Sequence, residues 1–485
     1  MIGRITSYTL RHRAIVLAVL VLFVLAGINA FQRLPVEAFP DVSNMSVQVI
    51  TLFSGHAAEE VERLVTIPIE NQMNSVPKLV SLRSISLFGL SQVTLVFEDG
   101  ADPDYVRNQV NQYLSVVTLP TGAQASLSPN ATPIGEIYRY TLKAPQGYSG
   151  EELRALQDWV VERKLRTVPG VVDVVGFGGP TKQYQVQVDP LKLKSYNLSL
   201  QQVFTALANG NRNAGGSYVE HGSEMYVVRG LGFVRDTADI GAISVDSRGG
   251  TPIRISDIGT VAIGHAVRLG QVGMLFKTPG GVSDDDDAVQ GIVIMRRGEN
   301  PRIVLDGIHA KVQEINAHYL PHGIRMVSHY DRTELIHRTL HTVRQNMIEG
   351  IVLVVLVLVL FLGLGNYRTA LVVALAVPVS LLGAYLLLDL RGIPANLISM
   401  GAIVEAVREM GRPILFSKAI LLTAFIPVFT LQRVEGRIFR PMALTLTYAL
   451  VTGTIFAVFV VPPLLSFAVR RGTQEGDSWI VRKLI

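Results

Sequence analysis

The sequence predicts a membrane α-helical bundle joined to a large external α+β domain, and three observations predict it. Only 17% of the 485 residues are charged, where a soluble chain has roughly a quarter. The 49% of residues that are hydrophobic gather in blocks long enough to cross a bilayer. Between the first and second blocks, residues 32–346 alternate strand and helix periodicity instead.

The first block, residues 14–31, follows Arg4, Arg11 and Arg13, a basic flank that holds an N-terminus in the cytoplasm. A cleaved signal peptide is the alternative, but the run is long and Ile28 suits the minus-three position before Ala30 poorly. Further blocks lie at residues 347–365 and 369–390, joined by a tight turn Asn366-Tyr367-Arg368, then at 413–431 and 442–469. Residues 32–346 are therefore expected on the far side of the membrane, and residues 470–485 form a polar tail. The net charge of +5 fits Lys and Arg kept at membrane edges. The absence of cysteine excludes disulfides, thiolate metal sites and a cysteine nucleophile. No basic tract with interleaved aromatics points to nucleic acid. No P-loop or catalytic triad points to an enzyme, and no motif calls for a cofactor.

The external stretch reads as repeated α+β units. Val47, Val49, Leu52 and Phe53 suggest a strand, and residues 57–74 place Val61, Leu64, Val65, Ile69 and Met73 at helical spacing. Strands at 81–87 and 92–97, a helix at 102–116 and a short strand near Ala125 complete a β-α-β-β-α-β unit. A second unit opens with a strand at 136–142. Its helix starts at Ser149-Gly150-Glu151-Glu152, a capping box in which Glu152 reaches back to the Ser149 amide. Leu153, Leu156, Val160 and Leu165 follow. Both helices end in a similar phrase, Val76-Pro77-Lys78-Leu79-Val80 and Val168-Pro169-Gly170-Val171-Val172. Each runs on through a strand to Phe-Gly, at Phe88-Gly89 and Phe177-Gly178, an internal repeat. After a strand at 184–188, residues 190–271 change character, with short strands and many glycines. The pattern resumes with a strand at 291–295, a helix at 301–317 and a strand at 324–328. Residues 190–271 are thus expected to be a domain inserted into a second unit left short at Val188.

Several phrases resemble the resistance-nodulation-division efflux pumps, in their heavy-metal branch. They are Leu34-Pro35-Val36-Glu37-Ala38-Phe39-Pro40-Asp41-Val42, Glu59-Glu60-Val61-Glu62 leading to Ile67-Pro68-Ile69-Glu70, Arg83-Ser84-Ile85-Ser86, Val96-Phe97-Glu98-Asp99-Gly100, Tyr330-Asp331-Arg332 and Phe439-Arg440-Pro441-Met442. The resemblance implies ferredoxin-like βαβ porter subdomains at 32–130 and at 131–189 plus 272–332, with 190–271 as an inserted docking-like domain. It implies a membrane bundle over 333–469 and a first span within 1–31. It further implies proton-driven export of metal cations across the bacterial inner membrane into a periplasm. A homotrimer, a periplasmic adaptor and an outer-membrane channel are the implied partners.

Two departures stand out. The family's pumps are about twice as long. Moreover, after Asn396-Leu397-Ile398-Ser399-Met400-Gly401-Ala402-Ile403 the family continues into a fourth span bearing buried aspartates. Here Ile403 runs directly into Val404-Glu405-Ala406-Val407-Arg408-Glu409, which resembles the cytoplasmic stretch after that span. The apolar run 397–404 is about 12 Å long as a helix, against a hydrocarbon core of about 30 Å. The five expected spans hold no Asp or Glu away from their ends, where Glu349 and Asp389 sit. No proton relay can be assembled from them, because such a relay needs a carboxylate at membrane depth. With five spans, the only basic residues after the third span that face the cytoplasm are Arg433, Arg437 and Arg440. A restored sixth span returns Arg408, Arg412, Arg470, Arg471, Arg482 and Lys483 to it and puts Arg433, Arg437 and Arg440 outside, as the positive-inside rule prefers.

Glu334, His337 and His341 share one helical face, a spacing that can hold Zn(II) or Cu(II); the plainer reading is a solvated helix entering the membrane. Residues 284–287, four aspartates, read as a solvated loop, and Met295, Met326 and Met347 as packing residues. The expected function is metal-cation efflux by descent, in a chain that cannot transport alone. The alternatives are a non-transporting remnant that still binds an adaptor and a protein-export accessory of similar topology.

Overall fold

The computed structural model describes residues 2–37, 41–145, 147–268, 270–278, 281–362, 367–396, 426–431 and 433–468. Helix α1 (Ile2–Arg11) leads into α2 (Arg13–Arg33), the first apolar helix. The first unit follows. Strand β1 (Ser46–Leu52) buries Val47 and Val49 by simple alternation. Helix α3 comprises Ala58–Val61, a wide π turn at Glu62–Thr66, and Ile67–Met73. Strands β2 (Leu79–Leu87) and β3 (Leu90–Phe97) form a hairpin. Helix α4 (Pro103–Ser115) starts where Asp102 accepts from the Asp104 amide at 2.9 Å, with proline at its first position. Strand β4 (Gln124–Leu127) closes an antiparallel sheet in the order β2-β3-β1-β4. Val61, Val65, Ile69 and Met73 of α3 and Val106 and Val110 of α4 pack on Val47, Val49, Val93 and Leu95.

The second unit repeats this plan. It opens with β5 (Glu136–Lys143), then α5, which comprises Gly150–Leu156, a π turn at Gln157–Val161, and Glu162–Leu165, then β6 (Val171–Phe177). The capping box forms as read: the Ser149 amide donates to Glu152 at 3.0 Å and the Glu152 amide to the Ser149 hydroxyl at 3.2 Å. The chain then leaves the sheet. Strand β7 (Lys182–Val188), hairpin β8 (Ala214–His221) and β9 (Glu224–Gly230), and β10 (Gly259–His265) belong to separate small sheets. Val186 and Val188 of β7 and Val261 of β10 pack on a core of Leu198, Val203, Ile253, Ile255 and Ile258, while hairpin β8–β9 is exposed along its whole length. The chain returns as β11 (Val289–Met295), α6 (Pro301–His318) and β12 (Arg325–Asp331), in a sheet ordered β12-β5-β11-β6.

One expectation needs correction. The strand ending at Val188 does not belong to the second unit's sheet. It pairs antiparallel with β10 over its whole length, from Lys182 opposite His265 to Val188 opposite Gly259. Alternation marks a strand but carries no information about its partner. The break in the second sheet therefore spans residues 178–288, wider than the expected 190–271. Its position explains the internal repeat: Phe88-Gly89 is the two-residue turn of the β2–β3 hairpin, and Phe177-Gly178 is the equivalent point between β6 and β11. Both glycines are left-handed, at φ 70° and 73°. The extra domain is inserted into a hairpin turn.

Beyond β12 lie α7 (Arg332–Leu362), α8 (Tyr367–Ala374), α9 (Ala376–Leu390), α10 (Arg433–Phe459) and α11 (Val461–Ala468). Among the described residues, three helical stretches are long and apolar enough to cross a membrane: Arg13–Arg33, Leu371–Leu390 and Glu435–Phe459. Helix α9 sits between α2 and α10. A Cβ at Gly27 would lie 2.7 Å from that of Leu382, and one at Gly383 2.2 Å from the Thr452 methyl, so glycine permits the close approach. Tyr367 and Arg368, expected in a turn, already open α8. The last apolar block begins earlier than expected, at Arg433, and passes through Pro441 as helix. The block expected at 413–431 lies largely outside the described residues, as does Ile403.

Candidate functional site at the junction of membrane helices and external units

Residues 41–45 lead from α2 into the first unit, and two arginines converge on them from opposite directions. Arg437, one turn into α10, donates to the carbonyl oxygens of Val42 at 2.9 Å and of Ser43, to Asn44 Oδ1 at 3.3 Å, and to Asp99. Arg297, in the turn after β11, reaches Met45 Sδ at 3.2 Å and the Asn44 carbonyl at 3.4 Å, and lies 3.9 Å from Asp41. Its own amide donates to Asn130. Five residues thus gather a membrane helix, the first unit and the second unit. Arginine suits the place because its planar fork holds several carbonyls at once. The Asp99 side chain is 54% exposed, so water screens the ion pair to about 1 kcal/mol or less; the carbonyl contacts do the positioning.

This contact also orients the last helices. The start of α10 touches the external units, whereas the end of α11 lies at the other side, with Phe467 under the Arg13 guanidinium at 4.8 Å. Five-span counting placed Arg433, Arg437 and Arg440 in the cytoplasm; Arg437 instead lies on the external side, as six-span counting requires.

The root of α7 is the second joint. Asp331 accepts from the Thr333 amide at 2.9 Å, capping α7, and lies 2.6 Å from His309 Nε2 of α6. Burial alone would raise the Asp331 pKa, but the Thr333 hydroxyl, the Thr333 amide and then His309 outweigh it and hold the carboxyl below its ordinary value. The His309 ring stands edge-on to Tyr138. Buried Arg332 donates to the Ile134 carbonyl. On the same strand, burial and then the Arg139 charge push the His329 pKa down.

The metal candidates lie just beyond the second joint, along α7. Glu334 is exposed and paired with Arg338, and His337 and His341 are exposed on the same helix. Among the described residues no three His, Asp or Glu side chains form a group that could hold a metal ion. Met295 and Met326 are buried in the second unit's core. The aspartate run is not a solvated loop: Asp284 and Asp285 are exposed but end a strand (Gly281–Asp285) paired with Met274–Thr278, and Asp287 is half-buried and held by Arg268 and the Gly179 amide. Arg297 and His309 drew no notice in the sequence, and Arg437 only as one charge in a topology count. The signal was proximity to motifs: residues 41–42, Asp99 and the neighbourhood of residues 439–442 all belong to phrases that meet only here.

The sequence profile described as the AcrB/AcrD/AcrF family matches residues 5–407 and 402–484, two pieces that meet where the sequence departs after Ile403. The chain is 36% identical to Protein HelA of Legionella pneumophila over 532 aligned positions, although it has only 485 residues; the alignment covers all of this chain and 49% of the relative. It is 37% identical to Cation efflux system protein CzcA of an Alcaligenes species, covering 99% of this chain and 48% of the relative. The crystal structure of a heavy metal efflux pump superposes with a TM-score of 0.82 at 39% identity, over 96% of this chain and 47% of that one. The chain spans about half the length of the relatives it matches. It belongs to the AcrB/AcrD/AcrF family of resistance-nodulation-division transporters, in the heavy-metal efflux branch.

Proposed function

We propose that this chain derives from a proton-driven pump exporting heavy-metal cations across the bacterial inner membrane. In this reading the two repeated units are porter subdomains facing the periplasm, and residues 178–288 are the docking part. The observation that carries it is identity of 36–39% sustained over nearly the whole chain, on a shared fold, with proteins named for heavy-metal or cation efflux. The junction supports it: α10 cannot shift along its axis without pulling residues 41–45, which both units hold. Hairpin β8–β9 supports a homotrimer. It projects with Tyr218, Val219, Tyr226 and Val227 all exposed, the kind of surface a second copy of the chain would cover. An adaptor and an outer-membrane channel are the partners that export beyond the periplasm requires.

The chain by itself is proposed not to transport. The family match changes over at residues 402–407, and antiport needs a protonatable group at membrane depth. Expression in a metal-sensitive host lacking its own pump should leave sensitivity to zinc, cobalt, cadmium and copper unchanged. A clear rise in tolerance would overturn this half of the reading. The second reading, a remnant that still binds an adaptor, is favoured by the complete sheets of both external units. The protein-export alternative has no support beside the cation-efflux relatives.

A further inference from the structure

Two strands of chain connect the inserted domain to the second unit, and they cross at one point. The outgoing strand turns through Gly178 and Gly179, both left-handed at φ 73° and 67°. The returning strand passes against them at Ala288 and Val289. A Cβ on Gly178 would fall 2.0 Å from the Ala288 carbonyl oxygen, and one on Gly179 2.7 Å from Val289. The ties around the crossing are polar. Asp287 accepts from the Arg268 guanidinium at 2.9 Å and from the Gly179 amide at 3.3 Å. Arg154 of α5 donates to the Gly178 carbonyl at 3.1 Å, and Glu151 lies 3.5 Å from His265 at the end of β10. The two bodies bury their apolar side chains in separate clusters, and beside the crossing the second unit meets the insertion at Gly150 and Pro180.

We propose that this crossing is a lockable hinge, with Gly178 and Gly179 as the pivot and Asp287, held by Arg268 and the Gly179 amide, as the lock. Consecutive glycines supply backbone freedom that other residues lack. A carboxylate on the returning strand, held by the outgoing Gly179 amide and by Arg268 just after β10, removes that freedom while the ion pair holds. The pair is only partly exposed, at 31% and 35% of its side chains, so it is firm enough to set an angle and wet enough to release. The inserted domain carries hairpin β8–β9, and the hinge angle decides where that hairpin reaches. This goes beyond the efflux reading and does not depend on transport.

The chain's lack of cysteine allows a direct test in the full-length, detergent-solubilised protein. Spin labels at Thr251→Cys in the inserted domain and Gln313→Cys on α6 report the distance between the bodies; both positions are exposed. The unaltered lock should give one dominant distance. Arg268→Gln or Asp287→Asn should raise the population of other distances by up to about five-fold, the range of a partly exposed ion pair. Raising salt to about 1 M should act on the unaltered protein as Arg268→Gln does, because the Debye length falls to about 3 Å, and should add nothing to the variant. The salt arm also decides the matter if a variant fails to fold. Identical distance distributions with and without the lock, at both salt concentrations, would overturn the proposal.

Discussion

Lys78 and Gly170 occupy the same place in the two units, just after Val-Pro, and both are left-handed, at φ 64° and 86°. A lysine there carries a steric cost of roughly 1–2 kcal/mol, offset in part by its ammonium lying 5.5 Å from the Tyr105 ring. Lys78→Gly should therefore stabilise the β2–β3 hairpin by about 1 kcal/mol. Hydrogen exchange of Leu79–Leu87 would read this as slowing by about five-fold; faster exchange would show that the cation–π contact dominates. The two sites are not interchangeable. A Cβ at Gly170 would lie 2.5 Å from a Val304 methyl, so α6 closes over the second turn while the first stays open. A similar asymmetry holds inside the sheets. Gly291 leaves room for Tyr140, whose hydroxyl donates to buried Gln157 at 2.9 Å. The first unit solves the same problem with hydroxyls, Thr66 bonding Ser86 and Ser91.

At the scale of elements, α3 and α5 each contain a π turn that puts a polar side chain, Thr66 or Gln157, into the buried face. Apolar spacing predicted both helices but not this extra residue, because one wide turn shifts periodicity by less than a short helix can reveal. Local chemistry set their starts. Ser149→Ala removes one acceptor of the capping box and should cost about 1 kcal/mol, seen as faster exchange of the first turn of α5 with β5 unchanged. Equal loss across the whole second sheet would mean that the cap serves the unit and not the helix end. The insertion follows the same logic. A hairpin turn is the one point in each unit where the chain reverses in the open and extra residues leave the sheet intact.

In the whole molecule, membrane helices meet external units at the residues 41–45 hub and at the root of α7. The second joint is pH-dependent with a definite sign. Asp331 is held below its ordinary carboxylate value, so its contribution is full above about pH 4 and is lost as pH falls through the lower, bound value. Exchange around residues 329–340, corrected for intrinsic rate, should accelerate on acidification below that point, and Asp331→Asn should abolish the dependence. A pH response surviving in the variant would assign it to another group, such as His329. The orientation of α10 belongs to this scale too, since Arg437 and Asp99 lie far apart in sequence and only the folded chain makes them neighbours.

The sequence by itself determined the apolar helices within Arg13–Arg33, Leu371–Leu390 and Glu435–Phe459, the two repeated units, the presence of an insertion and the family, because each rests on local periodicity or on contiguous phrases such as those at residues 34–42 and 439–442. Its arginines, counted by the positive-inside rule, fit six spans better than five. Only the tertiary structure decided which strand pairs with β7, that the insertion sits in a hairpin turn, and that Arg437 and Arg297 grip one linker. Strand partners and long-range ion pairs depend on which surfaces the fold brings together, and neither alternation nor charge counting contains that information. Residues 43–45 belong to no motif, and the two arginines that grip them come from distant parts of the chain.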